Sequence, residues 1–236
     1  LHKHKRINPK ISDKNKKAYE NKKKREADKY IMKAKYRPPN KIKDLKPGAL
    51  IEKDMKYIEK QGNLIKIKAR DNFFYQHTEI DSFIRIRTLE ITENFEGKEA
   101  ATAHKRAQKR FPFKIACVNT DNGSENNWIF GENLQKENIF HFYSNAGTAT
   151  DNPRVERSHL TDEIVFLSKG NKFGKIKEQR QAVSEWERIY NFERPHQALG
   201  YLTPMEFYEL WKENPEKTYA IKDKYQEYRH HIPRVD

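Results

Sequence analysis

The stretch Ile115-Ala116-Cys117-Val118-Asn119-Thr120-Asp121-Asn122-Gly123 reads as a short apolar strand, Ile115 to Val118, that runs straight into a polar turn. Open α/β sheets place their chemistry where buried strands end, which makes Asp121 the residue to build from. Toward the amino end, Leu50-Ile51 leads into Asp54, Tyr57 and Ile58. The alternating Leu64, Ile65 and Ile67 follow, and then the β-rich runs 73–80 and 84–91, joined by Asp81-Ser82-Phe83. Together these predict an antiparallel meander of three or four strands. A helix over 98–109 is expected from Ala100, Ala101, Ala103 and Ala107 after Gly97. Toward the carboxy end, the pattern predicts a helix over 125–137, a strand over 139–143 and a small-residue loop over 146–150. Long helices over 152–167 and 175–192 come next, the second with Val183, Trp186, Ile189 and Tyr190 on one face. The order β-β-β-α-β-α-β-α-α implies a mixed α/β sheet with helices on its faces.

The chain has 236 residues, 35% hydrophobic and 35% charged, enough for one globular domain with much solvated surface. Its apolar runs fall far short of the ~20 residues a bilayer span needs, so a soluble, cytoplasmic protein is expected. The single cysteine, Cys117, excludes an internal disulfide framework and a cysteine-based zinc site, and reads as a buried strand residue. The net charge of +14 points to a polyanionic partner. Residues 1–50 hold 18 Lys and Arg against 5 Asp and Glu, so nearly all of the excess lies in the first fifth. Residues 1–46, with Lys22, Lys23, Lys24 and Arg25, are too polar for a core of their own. They read either as a solvated linker or as an arm lying along phosphates. Because the first residue is Leu1, the sequence is expected to be the carboxy-terminal part of a longer protein.

Three carboxylates stand in unusual places. Asp54 lies inside the first strand, Asp121 ends a buried one, and Glu156 falls in the first turns of a helix introduced by Asp151-Asn152-Pro153. An acid at a sheet core is costly unless paired or metal-bound. Hard oxygen ligands converging from two strands and a helix suit Mg²⁺ or Mn²⁺, which could be held as two ions about 4 Å apart for in-line phosphoryl chemistry.

The local words around these acids are more specific than their spacing. Asp54-Met55-Lys56-Tyr57, Thr120-Asp121-Asn122-Gly123-Ser124-Glu125, Asp151-Asn152-Pro153-Arg154-Val155-Glu156-Arg157 and Tyr190-Asn191-Phe192-Glu193-Arg194-Pro195-His196 occur in that order. This set resembles the catalytic core of DDE transposases and retroviral-type integrases, including bacterial insertion-sequence transposases, in the ribonuclease H-like superfamily. The resemblance covers about residues 47–210, with 1–46 as a basic arm and 211–236 as a tail, and 34 residues separate Asp121 from Glu156.

The resemblance implies a ribonuclease H-like mixed five-stranded sheet flanked by helices. It also implies Asp54, Asp121 and Glu156 as catalytic metal ligands for two Mg²⁺ or Mn²⁺ ions, and metal-dependent cleavage and strand transfer of mobile-element DNA by a homo-oligomer on that DNA. Expected DNA contacts are Lys22, Lys23, Lys24, Arg25, Arg154 and Arg157. Expected orienting residues are Asn122, Gly123, Asn152, Arg194 and His196, with His196 bracing a helix and loop. One departure stands out: many members carry a lysine seven residues after the glutamate, and here that position is Glu163. Asp81 reads as a structural turn acid, His230-His231 as a solvated pair, and Trp128, Trp186 and Trp211 as packing aromatics. A DNA-binding derivative that has lost catalysis and another ribonuclease H-like nuclease are the rival readings.

Overall fold

The first three strands form the expected meander. β1 (Ile51–Glu59) pairs antiparallel with β2 (Phe73–Asp81) from Ile51↔Asp81 to Glu59↔Phe73. β2 pairs antiparallel with β3 (Arg87–Thr92). In this computed structural model the described residues are 38–62, 72–121, 123–126, 129–144 and 152–231, with side chains 124 and 229–231 left aside. The arm residues Lys22 to Arg25, the run Leu64–Ile67, Asn122, Trp128, the loop 146–150 and the side chains of His230-His231 therefore lie outside what is described.

The strand expected from Ile84 begins only at Arg87, because Asp81 folds the chain back first. Its wholly buried carboxylate accepts from the backbone N–H groups of Phe83 (2.9 Å), Ile84 (2.7 Å) and Gly48 (2.8 Å), and Arg85 takes a left-handed φ of 67°. Such an Asx turn consumes the residues that alternation alone assigns to the strand.

Helix α1 (Gly97–Gln108) carries the chain across to β4 (Cys117–Thr120), which lies parallel to β1, and α2 (Ile129–Lys136) leads to β5 (Phe140–Tyr143), parallel to β4. The sheet order is β3-β2-β1-β4-β5. The helix expected over 125–137 is instead a 3₁₀ turn, Ser124–Asn126, followed by α2.

Both faces of the sheet are covered. Ile51, Val118, Ala100, Phe130, Leu134 and Phe207 share one core; Ile58, Phe74, Leu89, Ile91, Val183 and Trp186 share the other. The second face is built by α3 (Pro153–Thr161) and α4 (Ile176–Phe192). α3 does not run unbroken to Leu167: a π turn, Asp162–Phe166, and a 3₁₀ turn, Leu167–Lys169, follow it. The π turn starts at a wholly buried acid. Asp162 Oδ1 accepts from Arg87 (2.7 Å) and Trp186 Nε1 (2.7 Å), and Oδ2 accepts from Gln76 (2.8 Å). Widened helical turns serve this kind of local demand.

After α4 come α5 (Pro204–Glu213), opened by a Thr203/Glu206 capping box, and α6 (Pro215–His231). The region beyond residue 210 is thus helical through His231. Tyr219 packs its ring 5.3 Å from that of Phe83 and donates its hydroxyl to the Leu45 carbonyl at 2.7 Å. Trp186 stacks on Phe166 and Trp211 on Tyr208.

Candidate active site

Strand parity decides which side chains meet. β1 and β4 are parallel with Ile51 beside Val118 and Glu52 beside Asn119. Continued by two residues, that register sets Asp54 level with Asp121 on the face that Glu52 and Asn119 share, because alternate residues of a strand face the same side. That is the α3 face: Glu52 accepts from the Arg154 and Val155 backbone N–H groups at 2.8 and 3.2 Å, and Asn119 donates to the side-chain oxygen of Asn152.

Asp54 Oδ1 accepts the Met55 N–H at 2.8 Å, and Oδ2 lies 3.5 Å from His159 Nδ1, one turn beyond Glu156 on α3. Burial chiefly, with the Asp121 and Glu125 carboxylates adding to it, pushes the Asp54 carboxyl up to about 6 against the opposing Met55 N–H and Lys53. Burial also holds the His159 imidazole down to about 4, so near neutral pH its contact with Asp54 is made by an uncharged ring. Asp121 follows the end of β4, and its Oδ1 accepts from the Gly123 N–H (3.0 Å) and Asn126 Nδ2 (2.7 Å). At Gly123 an added Cβ would run into the Glu125 carboxylate.

Glu156 is exposed on α3, and its carboxyl is raised by partial burial and by Glu52. Among the described residues, no group of three or more His, Cys, Asp or Glu side chains is arranged to hold a metal ion. Asp54 and Asp121 therefore come within electrostatic reach of each other, whereas Glu156 does not close the group. The aspartate pair fits a divalent cation on its own chemistry: hard oxygens on one face, with a mutual repulsion that a cation would relieve.

Residues 137–204 match a family model described as an integrase core domain. The ORF3 protein of Spiroplasma virus SpV1-C74, a candidate integrase, is 26% identical over 194 residues, covering 71% of this chain and 52% of that protein. The chain thus spans about half the length of this curated relative. Among solved structures, the HTLV-2 integrase catalytic core domain in complex with magnesium superposes with a TM-score of 0.55 at 15% identity, covering 70% of this chain and 98% of that one. A chain of the simian T-cell lymphotropic virus intasome in complex with PP2A regulatory subunit B56 gamma gives 0.58 at 15% identity, covering 81% and 57%. The chain has the fold of integrase catalytic cores. Its mixed sheet flanked by helices is the ribonuclease H-like fold of these catalytic cores.

Within this fold the other expected site residues fall as follows. Asn152 is buried at the start of α3 and, although it makes no side-chain cap, accepts from Asn119. Arg154 is engaged by Glu52 (3.1 Å) and Asp44 (3.0 Å), so its guanidinium is held against the protein; Arg157 is exposed. Glu163 is paired with Lys56 at 3.0 Å and Lys172 at 3.6 Å, which holds its carboxyl below the usual range. His196 forms a backbone bridge with Leu202 and sits edge-on to Tyr190 at 4.5 Å, tying the end of α4 to the loop before α5. Burial lowers its imidazole to about 4. The Arg194 N–H donates to the Ile189 carbonyl at 2.9 Å, closing α4.

Sequence reasoning passed over three residues of the candidate site. His159 stands one turn from Glu156, a spacing that could have drawn attention to it. Lys53, wholly buried, donates to Asn126 Oδ1 at 3.0 Å, and Asn126 bridges onward to Asp121 and to Glu125 (3.3 Å). Nothing in the local pattern marks these two, since their roles come from three separate elements meeting.

Proposed function

We propose that this chain is the catalytic core of a DNA transposase or integrase that cleaves and joins mobile-element DNA with Asp54, Asp121 and Glu156 as its acidic triad. The observation that carries the reading is the placement of Asp54 and Asp121 on one sheet face, at neighbouring strands, opposite the helix that bears Glu156. The two aspartates would hold Mg²⁺ or Mn²⁺ with Glu156 as the third ligand. When bound, such ions activate water or a 3′-hydroxyl for attack on phosphorus and stabilise the leaving oxygen. The chain's own part is to hold the carboxylates in place: Asn126 and the Gly123 N–H fix Asp121, the Met55 N–H fixes Asp54, and a cation would displace the proton that Asp54 otherwise retains up to about pH 6.

For DNA, exposed Arg157 and the basic segment with Lys22, Lys23, Lys24 and Arg25 would supply phosphate contacts, which give affinity without sequence choice. The retroviral relatives are described as trimeric and dimeric cores and as an intasome, and this chain is proposed to work as a homo-oligomer on DNA at its element ends. No helix among the described residues is long and apolar enough to cross a membrane, in keeping with a proposed DNA-associated cytoplasmic protein.

The test is joining of a labelled, pre-cleaved element-end duplex to plasmid DNA in Mg²⁺ or Mn²⁺, comparing the chain as it stands with Glu156→Gln. Metal-dependent joining that the substitution abolishes supports the reading. A folded, DNA-binding protein that joins nothing in either metal sinks it in favour of a non-catalytic derivative, the reading that the open position of Glu156 favours. Cleavage of an RNA–DNA hybrid in place of joining would indicate a different ribonuclease H-like nuclease.

A further inference from the structure

We propose that Lys53 is a positioning residue for the candidate metal site, its buried ammonium fixing the Asn126 amide in the orientation that lets Asn126 hold Asp121. This rests on reading Asp121 as a metal ligand. Lys53 and Asp54 are neighbours on β1 but point to opposite faces, so Lys53 lies on the Phe130 side, 4.9 Å from that ring, and reaches the site through Asn126. Both Lys53 and Asn126 have no solvent exposure.

An asparagine side chain can present either its oxygen or its NH₂ to a given neighbour, and the neighbours choose. An ammonium only donates. Lys53 Nζ, 3.0 Å from Asn126 Oδ1, therefore turns Nδ2 toward Asp121 Oδ1 at 2.7 Å and Glu125 Oε1 at 3.3 Å. The reversed amide would set NH₂ against NH₃⁺ and its oxygen against two carboxylates. A wholly buried lysine needs compensation, and Glu79, paired with Lys53 across β1 and β2 and bonded to His104, supplies part of it. A Lys53 that served only as the cross-strand neighbour of Glu79 would be indifferent to Asn126. The chain Lys53–Asn126–Asp121 gives it a second duty at the site.

The experiment is Mn²⁺ binding to the full chain by titration calorimetry, without DNA, for Lys53→Met, Asn126→Leu and the double variant. Each single substitution is expected to weaken binding about tenfold to a hundredfold, the usual effect of removing a group that orients a metal ligand. Because they act through one bond, Lys53→Met should cost less than about twofold once Asn126→Leu is present. Unchanged or tighter Mn²⁺ binding by Lys53→Met, or an equal loss in both backgrounds, overturns the proposal.

Should Lys53→Met fail to fold, the unmodified protein serves. The two Asn126 amide protons should give separate, slowly exchanging NMR signals that move on adding Mg²⁺, and averaged signals would overturn it. Asp121→Asn separates the two layers. Mn²⁺ binding that survives there sinks the metal-ligand reading itself, whereas loss there with normal binding by Lys53→Met sinks only the role of Lys53.

Discussion

Asp54→Asn should stabilise the metal-free protein at neutral pH while ending the proposed strand transfer. Burial, helped by Asp121 and Glu125, raises the Asp54 carboxyl from 3.8 to about 6. The folded chain thus holds this proton more tightly than the unfolded chain does. Its contribution to stability is complete below about pH 4 and is lost as pH rises through about 6. At pH 7.5 the full cost of ionising Asp54 in place corresponds to about 3 kcal/mol at 1.36 kcal/mol per pH unit. The side chain is 28% exposed, and solvent screening reduces the expected gain to roughly 1–2 kcal/mol. Asparagine keeps Oδ1 for the Met55 N–H and offers an N–H to the uncharged His159 ring, so little else is lost. Urea unfolding in EDTA at pH 7.5 and pH 4.5 measures the difference: the gain should be full at the higher pH and fall to about a third of that at the lower. A variant no more stable at pH 7.5, or equally stabilised at both pH values, would refute the electrostatic reasoning. Millimolar Mg²⁺ should then stabilise the unsubstituted protein and leave Asp54→Asn unmoved.

Two further outcomes are expected. Asp162→Ala strips the buried Arg87 of its charged partner and leaves the Trp186 and Gln76 donors unmet, so urea unfolding should show a loss of about 3–5 kcal/mol; a loss below about 1 kcal/mol would contradict the role given to this acid. Glu163→Lys removes the partner of Lys56 and supplies the positive charge that the resemblance leads one to expect here, so fluorescence anisotropy against salt should show tighter DNA binding and a slope steeper by about one per phosphate gained. An unchanged slope would place that face away from DNA.

The meander, the strand ending at Asp121 and the helices on both faces were legible because periodicity two and periodicity 3.6 are written locally. Asp54 and Asp121, the two strand acids of the proposed triad, stood out for the same reason: an acid in an apolar strand is conspicuous. Lys53 was not, since a lysine between Glu52 and Asp54 reads as surface, and only the convergence of Glu79, Asn126 and Phe130 makes it interior. The π turn at Asp162 was equally silent, because the apolar pattern of Val155, Phe166 and Leu167 continues as if the helix were regular. Arg154 read as a phosphate contact, yet Asp44, 110 residues away in sequence, joins Glu52 in holding it. Long-range ion pairs of this sort leave no mark on local composition.

Glu52 receives the first amides of α3, so the helix that carries Glu156 takes its cap from the strand that carries Asp54. Competence for the proposed chemistry is therefore distributed beyond the three acids: a sequence could keep every one of them and still be inert for want of the wholly buried glutamate two residues before Asp54. When related chains are sorted into working and relic elements, an intact triad is by itself an incomplete criterion, and the residue at position 52 belongs beside it.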